Sequence, residues 1–187
     1  MELYVVRHGQ TDWNVSSRIQ GHTDTLLNET GKKQAEELAQ KLKDIPFDLI
    51  ISSSLSRALD TANIINRDRN LPLILNNNLI ERGFGDLEGL DDLSPYHCNI
   101  HTLLDYSLNY QENKVEPIQD LFKRVCDFIN FCITNFPDKK ILVSTHGGIA
   151  QAFECIIKKL PLDTDLQTLS LKNCDYRKYE INRSIDY

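Results

Sequence analysis

Three short apolar stretches give the first outline of the fold. They occupy residues 3–6, 49–51 and 141–143, and polar residues or glycine follow each of them. Short apolar runs rich in branched side chains are typical of strands buried within a mainly parallel sheet. Two further strands are predicted towards the carboxyl end of the chain, at residues 168–171 and 177–181.

Helical periodicity separates these stretches, because apolar side chains recur there every three to four residues. The periodic segments are 32–42, 54–66, 118–136 and 148–159. Strands that alternate with helices predict an α/β protein, here a three-layer α/β/α sandwich around a mostly parallel sheet. A chain of 187 residues suits a single domain over 1–187. Residues 90–115 are polar without a regular period, and we expect them to form an insert or lid.

Composition and charge narrow the class of protein. The chain is 41% hydrophobic and 26% charged, as ordinary globular proteins are. No apolar run approaches the roughly 20 residues that cross a bilayer, and the first residues do not resemble a secretory signal. A net charge of −6 argues against a general nucleic-acid-binding protein. The five cysteines form no CxxC pair, so we expect reduced thiols in a cytoplasmic protein. From the charge and the absence of a long apolar run, we expect no nucleic-acid partner and no membrane partner.

Polar side chains that can bind phosphate follow the predicted strands. Arg7 and His8 follow the first, Arg57 lies just after the second, and His146 and Gly147 follow the third. Ligands of open α/β sheets bind beyond the carboxyl ends of the strands, so the topology brings these groups to one edge. Guanidinium groups grip phosphoryl oxygens, and a neutral imidazole is a competent nucleophile towards phosphorus. The free N–H groups of the helix that follows His146 would face the same anion.

Five sequence blocks stand in order along the chain: Arg7-His8-Gly9-x-Thr11-x-x-Asn14, Gln20-Gly21 with 27–35, and the runs 52–62, 79–89 and 144–148. In this order they resemble the signatures of the histidine phosphatase superfamily, whose best-known members are the cofactor-dependent phosphoglycerate mutases. The resemblance covers most of the chain and weakens over 90–116 and after 160. It implies the α/β fold that the hydrophobic pattern predicts.

The resemblance also implies roles for individual residues. It implies a phosphohistidine on His8, with Arg7 and Arg57 around the phosphoryl group and His146 as a further cation or hydrogen-bond donor. The remaining phosphate or substrate contacts that it implies are Asn14, Thr11, Gln20, Gly21 and Gly147.

A carboxyl group must protonate the leaving alkoxide and later deprotonate water. The resemblance assigns this role to Glu81, and Glu88 is the alternative. Arginine and histidine here replace the metal cations of other phosphoryl-transfer sites, so no metal or other cofactor is expected. The run His97-Cys98-x-x-His101 looks superficially like a metal site. A structural zinc needs four ligands, however, and no second pair lies nearby.

Three activities fit these residues. The first is hydrolysis of a small phosphomonoester through phosphohistidine, with α-ribazole 5′-phosphate or a phosphosugar among the candidates. The second is cofactor-dependent phosphoglycerate mutase activity, because Glu81-Arg82 resembles the Glu-Arg pair of the mutases. The third is an inactive member that only binds phosphorylated ligands. The short insert and the run 85–89 resemble the phosphatase branch, so we favour hydrolysis with a small-molecule partner; the sequence carries no signal for an oligomeric state.

Overall fold

The backbone forms one sheet in a computed structural model, which describes residues 1–91, 112–161, 163–182 and 184–185. Within this part of the chain the strands are β1 (Glu2–Arg7), β2 (Leu49–Ser52), β3 (Leu73–Leu75), β4 (Lys140–Thr145) and β5 (Tyr176–Glu180). Their order is β3-β2-β4-β1-β5. All neighbouring pairs are parallel except β1 with β5, which are antiparallel. The predicted mostly parallel α/β sheet is therefore confirmed.

Helices cover both faces of this sheet. They are α1 (Asp12–Val15), α2 (Glu29–Lys41), α3 (Ser56–Asn66), α4 (Ile118–Asn135) and α5 (Gly147–Lys158). Alternate side chains of β1 point into different cores, since Leu3 packs with the apolar residues of α4 and α5. Tyr4, by contrast, packs with those of α2 and α3. This alternation produces the three-layer sandwich, because successive residues of a strand face opposite sides.

Local details differ from the sequence-based expectations. The predicted strand at 168–171 is wrong: Leu166–Leu169 is a 3-10 helix, closed by the Asp165 carboxylate, which accepts from the Gln167 amide. The short strand β3 was not predicted, because only three residues of it pair and none is buried. The helix predicted over 54–66 begins only at Ser56. Most of the predicted insert at 90–115 lies outside the described residues.

The sheet brings the ends of its strands together. Arg7 at the end of β1 pairs with Thr145 at the end of β4, and Ser52 at the end of β2 pairs with Ser144. The residues that immediately follow β1, β2 and β4 therefore meet at one edge. In the part of the chain that the structure describes, no helix has the length and apolar character needed to cross a membrane.

Candidate active site

A cleft of about 250 Å³ lies at this carboxyl edge of the sheet. Its wall includes most of the residues predicted from the sequence, namely Arg7, His8, Asn14, Gln20, Gly21, Arg57, Glu81 and Gly147. His146 and Thr11 were also predicted, and the structure places both as fully buried groups behind that surface. Among the described residues, no three histidine, cysteine, aspartate or glutamate side chains cluster as a metal would require. The His97-Cys98-x-x-His101 run lies outside those residues.

His8 presents one free ring nitrogen. Its Nδ1 lies 2.7 Å from the carbonyl oxygen of Gly9, which can only accept, so Nδ1 carries the proton and Nε2 keeps its lone pair. Burial, and then the guanidinium groups of Arg57 and Arg7, hold the pKa of His8 well below 6.5. The ring is therefore neutral near neutral pH. A neutral imidazole with an unprotonated Nε2 is the form that can attack phosphorus.

The glycine after His8 keeps this turn in place. A Cβ at Gly9 would lie 2.5 Å from the carbonyl oxygen of Gly31, in the first turn of α2. Only glycine permits so close an approach of two backbone segments. The Gly9 amide also donates to Thr61 Oγ1 at 3.0 Å, which ties the turn to α3. The sheet end and two helices thus define the orientation of the His8 ring.

His146 follows β4 and lies beside His8, with the ring centroids 5.2 Å apart. Its Nε2 is 2.8 Å from Ser53 Oγ, at the end of β2. Burial is the largest cause that holds the pKa of His146 well below 6.5, followed by the positive charge of Arg57. Of the two predicted forms, a second cation or a neutral donor, this environment favours the neutral one.

The guanidinium groups of Arg7 and Arg57 border the cleft, and each donates hydrogen bonds to backbone carbonyls of the protein. Arg7 Nη1 donates to the Leu171 carbonyl at 2.7 Å. Arg57 donates from Nη1 to the Thr23 carbonyl at 2.8 Å and from Nη2 to the Gly21 carbonyl at 2.7 Å. The Nε atoms of both arginines are buried and have no partner among the described residues. Donors buried without acceptors are unfavourable, so the geometry suits a bound anion that would accept from them.

Glu81 faces the same cleft from a loop. Its Oε2 accepts from the Gly148 amide at 3.1 Å, and its Oε1 accepts from the Arg82 amide at 2.8 Å. Gly148 lies in the first turn of α5, where free N–H groups favour a nearby carboxylate. A Cβ on Gly148 would lie 2.6 Å from Oε1, so only glycine leaves room for Glu81 in this position.

Glu88, the alternative carboxylate, is used differently. Its oxygens accept from the amides of His22 (2.9 Å), Thr23 (2.8 Å) and Phe84 (3.0 Å), and from Thr23 Oγ1 (2.6 Å). Burial raises the pKa of Glu88, but these hydrogen bonds outweigh it and lower the pKa overall. Glu88 is absent from the wall of the cleft and joins two loops. The structure therefore places Glu81, and not Glu88, within reach of a ligand.

Thr11 contacts two residues of the cleft wall. Its Oγ1 accepts from the Asn14 amide at 3.1 Å, which caps α1, and lies 3.1 Å from Gln20 Oε1. Asn14 Oδ1 accepts from the Thr11 amide, and Gln20 Oε1 also accepts from Thr25 Oγ1. The side-chain oxygens of both amides are thus occupied, which leaves their nitrogens as donors for a ligand. Thr11 itself orients these groups.

Several residues of the wall were not predicted from the sequence. They are Arg18, Ile19, Phe84, Gln151, Ser170 and Leu171. Gln151 stands four residues after Gly147 on α5, so helical spacing could have identified it. Leu171 and Ser170 lie far from every motif along the chain, and only the tertiary fold brings them to the cleft.

This fold and this cleft define an α/β protein whose sheet edge holds a neutral histidine between cationic groups suited to a phosphoryl ligand. The sequence matches the family model of the histidine phosphatase superfamily (branch 1) over residues 3–184. The chain therefore belongs to this superfamily, as the sequence blocks indicated.

Relatives in this family carry both phosphatase and mutase names. The chain is 34% identical to the uncharacterized phosphatase PhoE of Bacillus subtilis (strain 168), over 90% of this chain and 82% of that protein. It is 32% identical to the probable phosphoglycerate mutase GpmB of Cronobacter sakazakii, over 98% of this chain and 86% of that protein.

Solved structures with the same fold include named phosphatases. A mycobacterial glucosyl-3-phosphoglycerate phosphatase in complex with VO3 superposes with a TM-score of 0.86 at 29% identity, over 95% of this chain and 91% of that one. The α-ribazole phosphatase from Shigella flexneri superposes with a TM-score of 0.84 at 27% identity, over 98% of this chain and 92% of that one.

Proposed function

We propose that this protein hydrolyses small phosphomonoesters through a phosphohistidine on His8. The observation that carries the proposal is the free Nε2 of a neutral His8, set beside the unpartnered Nε atoms of Arg7 and Arg57. A nucleophile and fixed positive charge at one place are what phosphoryl transfer requires, because the transferring group spreads negative charge over its oxygens.

In the first half-reaction, His8 Nε2 attacks phosphorus and the bond from phosphorus to the ester oxygen breaks. Protonated Glu81 gives its proton to the departing alkoxide, which leaves as an alcohol. The Gly9 carbonyl continues to accept from Nδ1 and stabilises the positive charge that develops on the ring. Arg7 and Arg57, with the amide nitrogens of Asn14 and Gln20, would hold the phosphoryl oxygens.

In the second half-reaction, the Glu81 carboxylate takes a proton from water while the water oxygen attacks phosphorus. The bond from phosphorus to Nε2 breaks, inorganic phosphate leaves, and both groups return to their starting states. Every proton and bond is accounted for by His8, Glu81 and water. We therefore expect activity to survive a chelator, since no step calls on a metal.

Two relatives favour hydrolysis of an organic phosphate, since the solved neighbours act on glucosyl-3-phosphoglycerate and α-ribazole phosphate. For this chain, α-ribazole 5′-phosphate and phosphosugars are the proposed substrates. Phosphoglycerate mutase activity is the second candidate, supported by the similarity to GpmB. The free thiols of Cys126, Cys132, Cys155 and Cys174 support a reducing, cytoplasmic location, which we also propose.

The test uses p-nitrophenyl phosphate and a panel of phosphomonoesters, with EDTA present. We expect turnover, a burst of p-nitrophenol stoichiometric with enzyme where dephosphorylation limits the rate, and acid-labile phosphate trapped on His8. His8→Ala should lose on the order of 10⁴-fold in kcat or more. Turnover retained by His8→Ala would remove this residue from the mechanism. Interconversion of phosphoglycerates without hydrolysis would identify the mutase, and binding without either reaction would identify an inactive member.

A further inference from the structure

The two buried histidines of the site differ in which ring nitrogen the protein holds. His8 donates from Nδ1 to a carbonyl and leaves Nε2 open. His146 uses the opposite nitrogen, since its Nε2 lies 2.8 Å from Ser53 Oγ. A carbonyl can only accept, whereas a hydroxyl can accept or donate, so the tautomer of His146 depends on what the hydroxyl of Ser53 does.

A second hydrogen bond decides the direction. The amide of Leu55 donates to Ser53 Oγ at 3.3 Å, so one lone pair of this oxygen is already used. If His146 also donated, the buried hydroxyl proton of Ser53 would have no acceptor among the described residues. If Ser53 donates to His146 Nε2 instead, each group at this contact has a partner. Among the described residues, the first arrangement leaves two buried polar groups without a partner, the Ser53 hydroxyl proton and a bare His146 Nδ1, whereas the second leaves one, the Nδ1–H group. The second arrangement is therefore favoured, because unpartnered buried polar groups are unfavourable.

We propose that Ser53 is a positioning residue that keeps the proton of His146 on Nδ1, so that this imidazole serves as a fixed hydrogen-bond donor to the oxyanion bound in the cleft. The inference rests on the proposed function, and it adds a role for a residue that makes no contact with the substrate. His8 and His146 would then be the same Nδ1–H tautomer, but the protein holds them by opposite ring nitrogens. His8 presents the lone pair of Nε2 to phosphorus, and His146 presents the N–H of Nδ1 to oxygen.

The unpartnered atoms around the cleft support this role. Among the described residues, the buried side-chain nitrogens and oxygens without a partner are His146 Nδ1, Arg7 Nε, Arg57 Nε and Arg177 Nη1. Three of these belong to residues of the site, and in the proposed tautomer all three are N–H groups. One tetrahedral anion offers several acceptor oxygens, so a phosphoryl group would satisfy donors of this kind together.

Neighbouring serines provide a matched control. Ser52 and Ser144 are as completely buried as Ser53, but their hydroxyls donate only to backbone carbonyls, those of Ser53 and Ala58. Removing the Ser144 hydroxyl takes away one buried hydrogen bond without touching His146. A loss of activity caused by general loosening of the sheet edge should therefore appear in Ser144→Ala as well.

The direct test is the ¹⁵N NMR spectrum of the imidazole rings, with signals assigned by comparison with His8→Gln and His146→Gln. We expect a protonated Nδ1 and a bare Nε2 for His146, and inorganic phosphate or vanadate should shift the Nδ1 resonance. This readout does not require turnover, so it separates failure of the tautomer assignment from failure of the proposed activity. A protonated Nε2 with a bare Nδ1 in the wild-type protein would overturn the proposal.

The kinetic test compares three variants. Ser53→Ala should lower kcat roughly 10- to 100-fold and weaken vanadate inhibition, because one fixed donor is lost. Ser53→Thr retains a hydroxyl and should recover most of the loss, whereas Ser144→Ala should keep kcat. Equal kcat and vanadate affinity in folded Ser53→Ala and wild-type protein would reject the positioning role. Should Ser53→Ala fail to fold, the wild-type NMR spectrum still decides the tautomer.

Discussion

Two sides of the cleft are held in place by different kinds of contact. The floor consists of Arg7, the last residue of β1, and of His8 and His146, which directly follow the adjacent parallel strands β1 and β4. The end of the sheet therefore positions it. The opposite side consists of residues 78–83, which include Glu81, and is the part of the lining called the wall from here on. It has only a 3-10 turn at its start and no strand or α-helix. Its geometry therefore depends on side chains that reach it from elsewhere.

An ion pair between Arg124 and Glu116 contacts the wall at several points. Arg124 on α4 donates to the carbonyls of Asn78 at 2.8 Å and Glu81 at 3.1 Å, and it pairs with Glu116 at 2.7 Å. Glu116 Oε2 accepts in turn from the Gly83 amide at 3.0 Å. The comparison shows that the proposed nucleophile is positioned by the end of the sheet and the two helices packed against it, whereas the proposed proton donor relies on two charged residues outside the cleft.

The largest expected effect separates the two candidate carboxylates. Glu81→Gln should lower kcat roughly 10²- to 10⁴-fold for a substrate with a poor leaving group, because no group then protonates the alkoxide. The loss should shrink for p-nitrophenyl phosphate, whose leaving group needs little protonation.

Glu88→Gln is the matched control for that variant. It should keep most of the activity and lower the Tm by roughly 3–8 °C, because a carboxylate that accepts four hydrogen bonds is weakened. Calorimetry and steady-state kinetics measure the two effects. The opposite pattern, with activity lost in Glu88→Gln and kept in Glu81→Gln, would reverse the assignment.

The next effect concerns the point where wall and floor meet. Gly148→Ala places a Cβ 2.6 Å from Glu81 Oε1 and must displace the carboxylate, so we expect kcat to fall about 10- to 100-fold. In Gly147→Ala the nearest atom is Arg7 Nε at 3.6 Å, an ordinary contact, and the loss should be smaller. Steady-state kinetics would measure both variants. Equal losses in the two would show that the displacement of Glu81 is not the cause.

A smaller effect tests the ion pair behind the wall. Arg124→Ala should lower kcat about tenfold with little change in KM, because Glu81 is less well placed while the proposed phosphate contacts of the floor remain. Lys123→Ala removes an exposed cation next to it on α4, and serves as the control. A rise in KM with unchanged kcat would indicate that Arg124 acts on substrate binding instead.

The smallest expected effect is a dependence of the free energy of unfolding on pH, which the two buried histidines of the floor cause. His8 and His146 have pKa values well below 6.5 in the folded protein, so the unfolded chain binds more protons just below that pH. The free energy of unfolding is therefore at its full value above pH 6.5 and should fall as the pH drops below it. Urea titrations at pH 7.5, 6.5 and 5.5 would show this slope, and His146→Gln should reduce it. A wild-type stability that rises on acidification would contradict the burial of neutral histidines.

Sequence patterns predicted the fold where burial makes them strong. The strands around Val5, Ile51 and Leu142 were recognisable because both faces of the sheet are covered, which leaves uninterrupted apolar runs. The sequence pattern did not predict β3, because none of its three residues is buried. The false strand at 168–171 arose because alternation in so short a segment does not distinguish a strand from a 3-10 turn.

The amino-acid sequence by itself determined the parallel α/β architecture, the family, and the presence of His8, His146, Arg7 and Arg57 at one edge of the sheet. It could do so because local apolar runs mark the strand ends, and the carboxyl ends of parallel strands lie at one edge of a sheet. The tertiary structure alone decided the charge state of the two histidines, the separate positions of Glu81 and Glu88, and the part played by Arg124. These properties depend on burial and on hydrogen bonds between residues distant in the chain, which no local pattern encodes.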